Sequence, residues 1–92
     1  MSAGCVADVL ITNKRGLHAR ASARFVTLAS GFDAAVTVGH DGASVTGTSI
    51  MGLMMLAAGP GDTIRIEADG REAEAALAAL KTLVETRFGE DR

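Results

Sequence analysis

The residues with the clearest chemical potential lie close together. Gly16-Leu17-His18-Ala19-Arg20 sets an imidazole where a loop enters a helix and a guanidinium inside the first helical turn. The first N–H groups of a helix have no internal acceptor and the macrodipole is positive there, so an anion is favoured at that end and an imidazolium is not. Neutral imidazole is the form that attacks phosphorus. A phosphoryl group carried on a ring nitrogen of His18 would meet backbone donors and the fork of N–H groups on Arg20, which matches phosphate oxygens. The same residues also fit a plainer account, with His18 a partly exposed helix-start residue and Arg20 a solvated charge. The pentapeptide alone leaves both open.

Three further features bear on function. Arg24 lies one turn beyond Arg20 on the same helix face, where it either extends a basic docking surface or stays solvated. His40 precedes Asp41-Gly42 in an expected hairpin turn and reads as structural. In Ser49-Ile50-Met51-Gly52-Leu53-Met54-Met55-Leu56-Ala57-Ala58, the residues Ile50, Met51 and Met54 fall on one side of a short helix and Leu53, Leu56 and Ala57 on the other. A two-layer fold buries one side fully, so the Ile/Met side is either an adaptable exposed patch or further core. Ser49 is first an N-cap. Phosphorylation there would add about −1.5 to −2 charge beside the patch without opposing the helix dipole. No phosphate-cradling glycine loop, nucleophile elbow or metal-spaced cluster of His, Cys and carboxylates occurs, so nothing calls for a cofactor or a resident metal.

The elements that must position these groups can be read in turn. Ala7-Asp8-Val9-Leu10-Ile11-Thr12 is rich in β-branched residues and closes on Asn13-Lys14-Arg15-Gly16, a turn. Ala19 to Ser30 lacks Pro and Gly and carries Phe25, Leu28 and Phe32 near one helical line, with Ala19, Ala23 and Val26 beside it. Gly31 is placed to end that helix with positive φ. Ala35-Val36-Thr37-Val38 and Ser44-Val45-Thr46 flank His40-Asp41-Gly42 and predict a hairpin. A helix follows from Ser49 to Ala58 and stops at Gly59-Pro60-Gly61. Thr63 to Ala68 alternates, with Ile64 and Ile66 on one face. Asp69-Gly70-Arg71-Glu72 has the form of a capping box, with Asp69 at N-cap and Glu72 at N3. It opens a helix carrying Ala76, Leu77, Leu80, Leu83, Val84 and Phe88 at helical spacing. The order βαββαβα predicts an α+β two-layer open-faced sandwich, with three helices on one face of a four-stranded sheet.

Composition bounds the remaining possibilities. Ninety-two residues with 48% hydrophobic content are one domain's worth of chain, spanning 1–92, although 17 of them are Ala and the aromatics are three Phe without Trp or Tyr. Nine basic and eleven acidic residues, scattered along the chain, give a net charge of −2. Neither a duplex-binding stripe nor a stacking surface for single strands is present, so nucleic acid is excluded as a partner. The lone Cys5 and the absence of signal-peptide features in Met1 to Asp8 point to the cytoplasm. Ile50 to Ala58, the longest apolar stretch, is about half of the ~20 residues a membrane helix needs.

Taken together, Gly16-Leu17-His18-Ala19-Arg20, Arg24-Phe25-Val26, Leu28-Ala29-Ser30 and the run from Ser49 to Ala58 resemble HPr, the histidine-containing phosphocarrier family of the bacterial phosphoenolpyruvate-dependent phosphotransferase system. The resemblance covers nearly the whole chain. It implies an antiparallel sheet of strand order 1-4-2-3, phosphorylation of His18 on Nδ1, donation by enzyme I and receipt by an enzyme IIA type protein. By the same resemblance Arg20 is the phosphate-side arginine and Ser49 the serine modified by an HPr kinase/phosphorylase in some bacteria. Leu17, Ala19, Arg24, Ile50, Met51 and Met54 then belong to the partner-binding surface of a monomeric carrier. Two positions depart from the family pattern. Ala21 stands where Pro is usual, which keeps helical propensity but removes a restraint on φ. Thr48 stands where a basic residue often precedes the serine. A phosphatase of the acylphosphatase type shares the size and element order, but its glycine- and arginine-containing anion loop is missing. A binding module that docks through the Met patch alone is the remaining alternative.

Overall fold

The computed structural model describes residues 4–90. The chain runs through β1 (Cys5–Leu10), α1 (Ala19–Ala29), β2 (Ala35–His40), β3 (Ala43–Thr46), α2 (Ile50–Met55), β4 (Thr63–Asp69) and α3 (Ala73–Glu85), then a 3-10 turn at Arg87–Gly89. The strands pair antiparallel in the order β1-β4-β2-β3, as the resemblance implied. Alternation decides the faces. Ile64, Ile66 and Ala68 of β4 are buried beside Val9 of β1 and Val36 and Val38 of β2, while Thr63, Arg65, Glu67 and Asp69 face out. Phe25 of α1, Leu53 of α2 and Leu80 and Val84 of α3 close the core over that face. Each contributes about 1.5–3 kcal/mol by leaving water. The opposite face stays open and carries the Asp8–Arg65 pair, 2.9 and 3.2 Å along its two hydrogen bonds, flanked by exposed Val6 and Leu10.

Several boundaries differ from the sequence reading. β1 begins and ends two residues earlier than Ala7–Thr12, because its pairing with β4 stops at Leu10↔Thr63; Ile11 then bonds to the loop before β4, donating to the Asp62 carbonyl at 2.9 Å. α1 buries Ala21, Ser22, Phe25 and Ala29, whereas Ala19 is exposed and Val26, Leu28 and Phe32 are half-buried. Its end needs no positive φ: the Gly31 N–H donates to Leu28, and left-handed geometry is found at other glycines. The hairpin turn is Asp41-Gly42 alone, both left-handed as a two-residue turn requires, so His40 belongs to β2. α2 stops at Met55 instead of Ala58. Ala57 reverses the chain at φ 55 and is exposed, not packed with Leu53 and Leu56. Asp69 and Glu72 form no capping box. Asp69 ends β4, and Glu72 is itself the N-cap residue, its carboxylate accepting from the Asp33 N–H at 2.7 Å. Phe88 leaves the helical line of α3 yet is fully buried.

Candidate functional site

His18 is the N-cap residue of α1, with extended backbone and a side chain that does not cap the helix. The loop delivering it is fixed from below. Gly16 stands at φ 60, and a Cβ there would lie 2.4 Å from the Ala58 carbonyl oxygen, so only glycine fits. The Leu17 N–H donates to that same carbonyl at 3.1 Å, and the Leu17 side chain is buried. Leu17 therefore shapes the site through its backbone, and its side chain is not available to a partner as the sequence reading expected. Ser22, also buried, donates its hydroxyl to the Leu17 carbonyl at 3.1 Å. The first-turn N–H groups of α1 beyond His18 are left without intrahelical acceptors.

The ring of His18 is held by residues the sequence reading did not single out. Its Nε2 lies 2.5 Å from Glu90 Oε2, both side chains being only 14% and 13% exposed. The other oxygen, Oε1, accepts from Asn13 Nδ2 at 3.1 Å, and the same Nδ2 donates to the Gly16 carbonyl at 2.9 Å. With both its neighbours being acceptors, the orientation of the Asn13 amide is fixed, leaving its buried Oδ1 without a partner among the described residues. An ionised carboxylate only accepts, so Nε2 must carry a proton. In the neutral ring Nδ1 is then the nitrogen with a free lone pair, and it makes no hydrogen bond among the described residues. Burial raises the Glu90 pKa. The hydrogen bonds from Asn13 and His18, and then the charges of His18 and Arg20, outweigh burial and hold that carboxyl below its ordinary value of 4.5. The surroundings of His18 are thus not purely electropositive, as the helix terminus alone suggested. One side of the ring faces a carboxylate.

Glu90 reaches His18 because the chain reverses after α3. Arg87, Phe88 and Gly89 all take positive φ, at 59, 56 and 76, which folds Phe88 into the core and turns Glu90 toward Asn13 and His18. Arg24 donates to the Phe88 carbonyl and so clamps this turn. Its guanidinium, expected on a docking surface, is partly committed to the fold. The helical spacing places Phe88 on the line of α3, and the one available signal of the reversal is the Gly89 that follows it.

Arg20 and Ala19 are exposed beside His18. On α2, Ser49 Oγ accepts from the Gly52 N–H at 3.0 Å, and Leu53 is buried. Ile50 and Met54 are about 40% exposed, Met51 70% and Met55 78%. The patch is therefore exposed, and it includes Met55, which the helical split had not assigned.

A family profile described as "PTS HPr component phosphorylation site" matches residues 6–86. The chain belongs to the HPr family. Among relatives of this family, the phosphocarrier protein HPr of Cupriavidus necator is 49% identical over 83 residues, covering 90% of this chain and 93% of the relative. The phosphocarrier protein NPr of Shewanella violacea is 44% identical, covering 90% and 91%. The HPr structure from Thermoanaerobacter tengcongensis matches with a TM-score of 0.91 at 40% identity, covering 96% of this chain and 99% of that one. That of HPr from Bacillus anthracis matches at 0.85 and 43%, covering 89% and 98%. HPr proteins are phosphocarriers of the phosphotransferase system. No helix among the described residues is long and apolar enough to cross a membrane.

Proposed function

We propose that residues 1–92 act as one cytoplasmic carrier domain, in which His18 Nδ1 accepts a phosphoryl group from phosphorylated enzyme I and passes it to an enzyme IIA type protein, with no cofactor. The observation that carries this reading is the engagement of Nε2 by Glu90, since it leaves Nδ1 with the attacking lone pair. In the transfer, that lone pair bonds to phosphorus as the donor's N–P bond breaks and the electron pair returns to the donor ring. The ring of His18 becomes positive while it keeps its Nε2 proton. Glu90 lies where that charge develops, and stabilisation placed at developing charge accelerates a step. The first-turn amides of α1 and the Arg20 guanidinium are the donors available to the phosphoryl oxygens. Donors at the start of α1, where Ala19 and Arg20 are exposed, stabilise the phosphoryl group moderately, which suits a carrier that must release it.

Ile50, Met51 and Met54, with Ala19 next to His18 and Arg24 further along α1, form the docking surface in this reading, and Met55 joins them. Ser49 is a regulatory phosphorylation site at its edge, where an HPr kinase/phosphorylase would act. The test uses labelled phosphoenolpyruvate with enzyme I. Acid-labile, alkali-stable label is expected on the wild type and absent from His18→Ala; label retained by His18→Ala would place the acceptor elsewhere. Ser49→Asp keeps an N-cap acceptor and is expected to slow labelling with little change in melting temperature.

A further inference from the structure

The histidine that the phosphoryl chemistry does not use, His40, is hydrogen-bonded at one ring nitrogen and has a carboxylate near the other. Nδ1 lies 2.9 Å from the carbonyl oxygen of Leu56, the residue that closes α2, and Nε2 lies 3.4 Å from Asp62 Oδ2. A carbonyl accepts only, so Nδ1 carries the proton and donates it. The same Asp62 oxygen accepts from the Gly59 N–H at 2.8 Å. The ring on β2 thus holds the 56–62 segment at Leu56 and lies beside Asp62, whose carboxylate closes the segment from within.

That segment is the floor of the active loop. Its Ala58 carbonyl receives the Leu17 N–H, and Ala58 and Gly59 press against Gly16. Asp62 and Gly61 exchange hydrogen bonds of 2.9 Å with Ile11. Within the segment Ala57 holds φ 55, a conformation a non-glycine residue adopts at a cost, so the floor keeps its shape only under outside restraint. We propose that His40 is a positioning residue for phosphoryl transfer: through Leu56 it fixes the 56–62 segment, and through Ala58 it fixes the backbone of Leu17 and the ring that follows. The transfer half of this proposal rests on His18 being the acceptor; the brace itself does not.

The experiment compares wild type, His40→Ala and His40→Asn by amide hydrogen exchange and by single-turnover labelling with phosphorylated enzyme I at saturating concentration. In His40→Asn the side-chain amide nitrogen takes the place of Nδ1 and can donate to Leu56. His40→Ala is expected to accelerate exchange at Leu17 and Gly61 roughly tenfold while Leu80 and Val84 in α3 stay within about twofold of wild type. It is expected to slow labelling roughly fivefold, and His40→Asn to recover most of both losses. Unchanged exchange at Leu17, equal acceleration at Leu80 and Val84, or no recovery in His40→Asn would overturn the brace. Faster exchange at Leu17 with undiminished labelling would overturn the positioning role. A wild type that takes no label at His18 would instead defeat the proposed function, and with it the transfer half, while the exchange rates still decide the brace.

Discussion

Replacing Glu90 with Gln keeps the shape of the side chain and removes its ability to accept at both ends. Glu90 now accepts from Asn13 at one oxygen and from His18 at the other. Gln has one oxygen and one NH2, so it must choose. If the oxygen faces Asn13, the NH2 faces Nε2 and the neutral ring carries its proton on Nδ1, the nitrogen that has to attack. If the oxygen faces His18, two NH2 groups meet in the nearly closed space around Asn13. Either way the loss is a hydrogen bond to a charged group, worth about 1.5–3 kcal/mol, and the lower end is expected because Gln still makes one of the two bonds. That is roughly a tenfold slower single-turnover transfer from phosphorylated enzyme I. Glu90→Ala leaves Nε2 to water and imposes no wrong tautomer, so it should transfer faster than Glu90→Gln. Nitrogen NMR on the His18 ring reads the tautomer directly: Nε2–H in the wild type and a shift toward Nδ1–H in Glu90→Gln. Wild-type transfer rates in Glu90→Gln, or a ranking in which Ala is the slower variant, would refute the argument.

Other expectations follow from the same geometry. Glu90 has its pKa lowered in the folded state, so its contribution to stability is complete above 4.5 and is lost as pH falls through the lowered value. Denaturation midpoints of the wild type should therefore fall more steeply below that pH than those of Glu90→Gln, and parallel slopes would count against the pair. Gly16→Ala combines a left-handed φ with a Cβ 2.4 Å from the Ala58 oxygen, and should lose at least about 2 kcal/mol in urea unfolding. On α2 the two sides should separate cleanly. Leu53→Ala, at a fully buried position, costs about 2–5 kcal/mol. Met51→Ser, at an exposed one, stays within about 0.5 kcal/mol yet weakens labelling by enzyme I; a Met51→Ser protein labelled normally would remove Met51 from the docking surface.

The fold was legible where a pattern repeats. Alternation in Thr63 to Ala68 and the apolar spacing from Ala76 to Val84 identified elements whose buried faces coincide with those observed, because a periodic face needs a single partner layer and little else. Legibility failed where one residue serves two elements. Glu72 looked like the N3 half of a capping box, yet its carboxylate is claimed by Asp33, across 39 positions of chain. His40 looked like part of a turn, yet its ring reaches the end of α2. The site divides in the same way. His18 and Arg20 are recognisable because a helix start imposes local electrostatics. Asn13 and Glu90 are not, since nothing in the spacing of residues 77 positions apart says that a reversal after α3 will join them.

That reversal explains how a ring next to the exposed Ala19 and Arg20 is held in a definite tautomer. Left-handed backbone at Arg87 and Phe88 costs about 1–2 kcal/mol at each residue, and no helix or strand requires it. Burying Phe88 recovers about 1.5–3 kcal/mol, and Arg24 adds a hydrogen bond to the Phe88 carbonyl. The anchoring is therefore supplied by the core and by α1, and not through Nδ1 of His18. Only the Nε2 edge of His18 is committed to the protein's own contacts, while Nδ1 is left unbonded among the described residues. An arrangement that fixed both nitrogens would give a better-ordered ring and a poorer nucleophile, and one that fixed neither would leave the proton free to sit on the wrong side. Holding one edge through the far end of the chain satisfies both demands without building a pocket around the transferred group.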